Sequence, residues 1–75
     1  MLIGCPKEIK NNEYRVGLTP SMVRSLVSNK HEVIIEKEAG LGSSFSDTNY
    51  MDAGARIVTA TDIFNVSELI VKVKE

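Results

Sequence analysis

The chain has 75 residues, 43% hydrophobic and 25% charged, with nine basic and ten acidic side chains and a net charge of −1. A chain this short makes at most one small domain that buries about 60% of its unfolded surface, yet it is too apolar for the composition of a disordered segment. Charges of both signs mixed along it exclude a basic face for nucleic acid, and no run approaches the roughly 18 apolar residues of a membrane span.

Met1 to Cys5 is a short apolar run ended by Pro6, which predicts a buried first strand. The single Cys5 cannot form an internal disulfide, no Cys/His group has zinc spacing, and the N-terminus lacks a basic, apolar secretory signal. These features predict a metal-free protein of the cytoplasm, with Cys5 as a core thiol. From Pro6 to Pro20 the chain is too polar for core and too long for a minimal turn, since connections in α/β units usually run about 2–6 residues. A long charged connection of this kind is a candidate binding loop. Within it Arg15 stands beside Val16 and Leu18, which can anchor the return to the domain body. Its planar fork suits a two-point contact with a carboxylate, while a surface arginine packing its stem on Tyr14 or Val16 is the plainer alternative.

The next element carries a clear start signal. Thr19 can cap it, Pro20 suits the first helical position, and Leu18 can staple onto Val23. Met22, Val23, Leu26 and Val27 form the expected apolar stripe, and Asn29, tolerant of left-handed geometry, the expected stop. Glu32 to Lys37 contains Val33-Ile34-Ile35, a β-branched run that predicts a strand buried on both faces. After a Gly/Ser-rich loop from Ala39 to Ser46, Ser46 or Asp47 can cap a short helix through Ala53, stopped by Gly54. Arg56 to Val58 reads as a strand, Thr59 or Thr61 as the start of another short helix, and Leu69 to Val73 as the last strand. The alternation predicts an α/β fold of three layers: an open, mostly parallel sheet with helices on both faces, Rossmann-like or flavodoxin-like. Ending on a strand with no covering helix, the chain is expected to be the incomplete N-terminal part of a larger domain.

Three motifs need weighing. Gly40-Leu41-Gly42-Ser43-Ser44-Phe45 follows a strand, but Phe45 replaces the third glycine of a dinucleotide fingerprint and the following helix is short and late. A plain turn is expected there and no cofactor site. Lys72 and Lys74 alternate with Val71 and Val73, placing both ammonium groups on one side of the last strand. Ligands of open α/β sheets bind beyond the carboxyl ends of strands, so Lys74 is a candidate for charge recognition, against the alternative of a solvated edge lysine. His31 opens the second strand away from these residues and reads as a partly exposed histidine. Glu8 and Glu13 can orient Arg15 or simply be solvated.

The segments PKEIKNNEYRVGLTP, HEVIIEKEAGLGSSFSDTNY, DAGARIV and KVKE together resemble the start of the alanine dehydrogenases, across nearly the whole chain. The alpha subunit of proton-translocating nicotinamide nucleotide transhydrogenase has the same first-domain layout, with Lys72-Val73-Lys74-Glu75 and Asn11-Asn12-Glu13 closer to the dehydrogenase. The resemblance implies that residues 1–75 are the N-terminal part of a substrate domain, with Arg15 and Lys74 as substrate-binding residues and no catalytic, metal or cofactor residue within the chain. It further implies an NAD-dependent parent that interconverts L-alanine with pyruvate and ammonia, with its nicotinamide-binding domain and catalytic histidine beyond Glu75. That parent is expected to be a cytoplasmic homo-hexamer with a small-molecule substrate and neither nucleic-acid nor membrane partners. The piece alone is expected to be inactive. The transhydrogenase subunit and a truncated, non-catalytic product are the alternatives.

Overall fold

The computed structural model describes residues 1–8 and 16–72, so Arg15 and Lys74 lie outside the described residues, as do Glu13, Tyr14 and Val73. In chain order the elements are β1 (Leu2–Cys5), α1 (Pro20–Ser28), β2 (Glu32–Glu36), a 3₁₀ turn (Leu41–Ser43), α2 (Asp47–Asp52), β3 (Arg56–Val58), α3 (Ala60–Val66) and β4 (Leu69–Ile70). Local chemistry explains the helix starts. Thr19 Oγ1 accepts from the Met22 N–H at 3.3 Å and Pro20 takes the first helical position. Ser46 and Asn49 form a reciprocal capping box at α2, with bonds of 3.2 and 2.9 Å. Thr59 caps α3 through the Asp62 N–H.

Two local expectations are revised. Asn29 ends α1, but with φ −91° and with its side-chain amide donating to the Ser25 carbonyl, while Lys30 takes the left-handed conformation at φ 70°. Met22 is exposed, and the buried face of α1 is centred on Val23 with Leu26 and Val27 beside it. At the other end of α2, Gly54 has φ 107°, a conformation that favours glycine, which explains why the helix stops there.

All strands are parallel and their spatial order is β3-β2-β1-β4. β1 and β2 are the inner pair, with Ile3 opposite Val33 and Cys5 opposite Ile35. Side chains alternate across these strands. Ile3, Cys5, Val33 and Ile35 share one core with Val23 of α1 and with Tyr50 and Ala53, on and just after α2. Ile34 is buried outside that cluster, and α3, with the fully buried Ile63, packs on β1 and β2. The three layers expected from the pattern are therefore present. Complete burial of each branched side chain of β2 is worth about 1.5–3 kcal/mol, so this strand is the energetic centre of the fold.

β4 is shorter than Leu69 to Val73. Its regular pairing stops at Ile70, although the Val71 N–H still donates to the Gly4 carbonyl at 2.9 Å. The order 3-2-1-4 matches the half-sheet of a Rossmann-type fold, in which the direction of strand addition reverses between β1 and β4. That reversal locates the crevice where the loops leaving the carboxyl ends of two neighbouring strands diverge.

Candidate functional site

The carboxyl ends of β1 and β4 launch two segments into this crevice. From β1 the chain runs through the buried Pro6 to Lys7 and Glu8, and it returns at Val16, Gly17 and Leu18. From β4 it continues through Val71 and the exposed Lys72. These segments touch. A Cβ on Gly17 would lie 2.6 Å from the Val71 carbonyl oxygen and 2.9 Å from Lys72 Cα, so only glycine lets the returning limb press against the segment after β4.

The loop is pinned at both stems. On the outgoing side, the Lys7 backbone N–H donates to Glu36 Oε1 at 2.9 Å, a bond reaching from the carboxyl end of β2. On the returning side, the Tyr50 hydroxyl donates to the Leu18 carbonyl oxygen at 2.7 Å. The Tyr50 ring is fully buried and meets Phe45 edge to face, centroids 6.2 Å apart. Burial pushes its phenol up to about 12, with the neighbouring Cys5 and Asp47 adding to the rise, so it stays a neutral donor.

Cys5 lies beneath the same limb. Burial raises its thiol from the ordinary 9.0 to about 11, opposed by hydrogen bonding to the Leu18 and Gly17 backbone and reinforced by the charges of Glu8 and Glu36. A thiol held neutral in this way is a packing group and a poor nucleophile. The expectation of a core cysteine is met.

His31 follows α1 and precedes β2 at the amino end of the sheet, where the Glu32 N–H bonds the Met1 carbonyl, opposite the end that bears the crevice. Its Nδ1 is buried with no hydrogen-bond partner among the described residues, and it takes no part in the site. Gly40 to Phe45 closes on itself: a 3₁₀ turn ends at Ser44 with φ 67°, and the Phe45 N–H returns to the Gly40 carbonyl. The next helix starts only at Asp47; Ser46 Oγ accepts the Asn49 N–H, and the first turn carries the Asp47 carboxylate. These residues do not fit a dinucleotide pyrophosphate. An open groove of about 640 Å³ also runs along α1, lined by Pro20, Ser21, Arg24, Ser25, Ser28 and Asn29, and brings together none of the groups described above.

Among the described residues no group of His, Cys, Asp and Glu is arranged to hold a metal ion, and no helix is long and apolar enough to cross a membrane. Glu36 and Tyr50 are contributors that pattern reading missed. Their signals were faint: an acidic residue closing an apolar strand, and one aromatic residue in a short, mostly polar helix.

Comparison with known proteins gives a consistent result. The alanine dehydrogenases of Staphylococcus haemolyticus (strain JCSC1435) and Methanococcus maripaludis are each 57% identical to it, and that of Bacillus subtilis is 52% identical. All of this chain aligns in each case, with 20% of the relative, so it spans about a fifth of their length. A solved L-alanine dehydrogenase superposes with a TM-score of 0.96 at 55% identity, over 100% of this chain and 21% of that one. The transhydrogenase from Sinorhizobium meliloti superposes at 0.91 with 38% identity, over 96% of this chain and 20% of that one. The family model described as "Alanine dehydrogenase/PNT, N-terminal domain" matches residues 4–75, and the chain belongs to that family.

Proposed function

We propose that this chain is the N-terminal substrate-binding portion of an NAD-dependent alanine dehydrogenase, which converts L-alanine, NAD and water to pyruvate, ammonia and NADH. The observation that carries the reading is the contact of Gly17 with Val71 and Lys72 at the strand-order reversal. It joins the limb that follows Arg15 to the segment that precedes Lys74. In this reading Arg15 holds the substrate carboxylate, and Lys74 holds the carboxylate or polarises the carbonyl oxygen. The described residues offer no dinucleotide cradle, so NAD is assigned to a separate domain of a longer protein, as are the proton-transfer residues. The 75-residue chain alone is then inactive. The whole enzyme would work in the cytoplasm as a homo-hexamer.

Identity favours the dehydrogenase over the transhydrogenase, at 55% against 38% for the two solved structures. The transhydrogenase reading keeps its place because both superpose closely.

Steady-state kinetics of an Arg15→Lys variant of the full-length enzyme tests the assignment. Losing the planar fork while keeping the charge should lower kcat/KM for L-alanine about tenfold or more, equivalent to about 1.4 kcal/mol of transition-state binding. Affinity for NAD should hardly change. Wild-type efficiency in the variant would remove Arg15 from the site, and a wild-type enzyme without alanine oxidation would favour the transhydrogenase.

A further inference from the structure

We infer that residues 16–18, which lead into α1, and residues 71–72, which follow β4, form one interlocked unit that the Tyr50 hydroxyl holds closed and that opens as a whole. The inference is independent of the substrate reading, since every residue in it belongs to the packed fold and none has to touch a ligand.

The unit is a series of contacts that starts on α2. There the buried Tyr50 ring carries its hydroxyl to the Leu18 carbonyl oxygen, 2.7 Å away. One residue earlier, Gly17 lies so close to the Val71 carbonyl oxygen and to Lys72 Cα that a Cβ would meet them at 2.6 and 2.9 Å. The obstacle is backbone, which cannot turn aside as a flexible side chain would, so the two segments are locked in one relative position. Val71 is tied in turn to β1, its N–H donating to the Gly4 carbonyl at 2.9 Å. Val16 and Val71 both pack against the core cluster that holds Leu18 and Tyr50. β4 adds little to this hold, since its regular pairing with β1 ends at Ile70. The hydroxyl bond counts for more, because a buried carbonyl deprived of its donor bears the full cost of having left water.

Cys5 lies beneath the unit and supplies a built-in probe. It is the one cysteine of the chain, it has no exposed surface, and its sulfur lies against the Gly17 and Leu18 backbone. A covered thiol meets an alkylating agent only through openings that expose it, as a protected amide exchanges only through openings that break its bond. Because the two segments move as one, the same opening exposes Cys5 and frees the Val71 N–H. The walls of the crevice then order or loosen together, so that a ligand held by one also steadies the other.

Amide exchange of Val71, read by NMR, and alkylation of Cys5 by iodoacetamide, read by mass, test this on the chain at about pH 8, where Tyr50 is a neutral donor. In the wild type both should be slowed by the same factor relative to the unfolded chain, with Ile34 and Ile35 of β2 exchanging more slowly than Val71. Tyr50→Phe keeps the ring and deletes the donor, so it should quicken Val71 exchange and Cys5 alkylation alike, about tenfold, the worth of one buried hydrogen bond. Gly17→Ala strains the closed contact and should quicken both as well. Faster alkylation in Tyr50→Phe beside an unchanged Val71 amide would overturn the inference, because residues 16–18 would then open without residues 71–72. So would wild-type Val71 protection equal to that of Ile34 and Ile35, which would mean that the segment opens only with the whole fold. If Tyr50→Phe does not fold, the wild-type comparison still decides, and unequal protection of Val71 and Cys5 is the contrary result.

Discussion

Cys5 and Tyr50 lie in the same core, beneath and beside the returning limb of the β1–α1 loop, and both ionise reluctantly because burial penalises their anions. The unfolded chain sheds the Cys5 proton near 9, whereas the folded chain retains it until about 11. The folded-state pKa is raised, so the stability that this thiol contributes is complete below pH 9 and is lost as pH climbs toward 11. Tyr50 extends the same loss toward pH 12. Melting temperature should therefore hold steady up to about pH 9 and fall above it. Cys5→Ala should lower the melting temperature at neutral pH through the lost packing, yet flatten the fall between pH 9 and 11. Equal slopes in wild type and variant over that interval would show that another group drives the alkaline loss. Gly17 makes the complementary point about a residue with no side chain. Its place was visible in the sequence, whereas the backbone of Val71 and Lys72 that forbids a Cβ there was not, because Val71 lies 54 positions after Gly17.

The helices are short, and short helices depend on their ends. α2 has only six residues, a capping box at its start, and Asp47 receiving the Glu38 N–H at 2.9 Å. Ser46→Ala removes the bond to the Asn49 N–H and should cost about 0.5–2 kcal/mol, measured by denaturant unfolding with an unchanged slope. Since α2 also carries Tyr50, the loss should loosen the Leu18 anchor. A variant as stable as wild type would show that tertiary packing holds α2 without its cap. Element types were legible because each has a local cause: Thr19-Pro20, Ser46 with Asn49, Thr59, and the Val33-Ile34-Ile35 run. The misjudged details had two causes, one tertiary and one in the end of α1 itself, where the Lys30 and His31 N–H groups bond the Val27 and Leu26 carbonyls. Met22 has the right spacing for the stripe but lies beyond the edge of the face that meets the sheet, and Lys30 takes the left-handed turn that Asn29 was expected to take.

Across the whole molecule the order β3-β2-β1-β4 puts the two most buried strands at the centre and the shortest at an edge. Leu69 on β4, with Phe64 and Val66 nearby on α3, is 46 to 60% exposed. Amide exchange should accordingly be slowest in Val33, Ile34 and Ile35 and much faster in β4, because regions with few buried contacts open at lower free energy. Hydrogen exchange read by NMR on the chain checks this. Equal protection in β2 and β4 would show that the sheet opens as a single unit.

Residue order was sufficient for the α/β class, the parallel sheet and the helix starts, since periodicity, capping chemistry and β-branched runs act over a few neighbouring residues. Resemblance extended the reading to a family, which the comparisons bear out over residues 4–75. Strand order was not available from such local signals. Both Rossmann-like and flavodoxin-like arrangements agree with the same alternation, and the choice depends on whether β3 joins β2, as it does here, or the free edge of β1. The stems of the loop were equally hidden, because Glu36 meets Lys7 across 29 positions and Tyr50 meets Leu18 across 32. Such pairs come together only when β1 and β2 align in register and α2 lies over them, so their chemistry belongs to the packed sheet and has no signature in the linear chain.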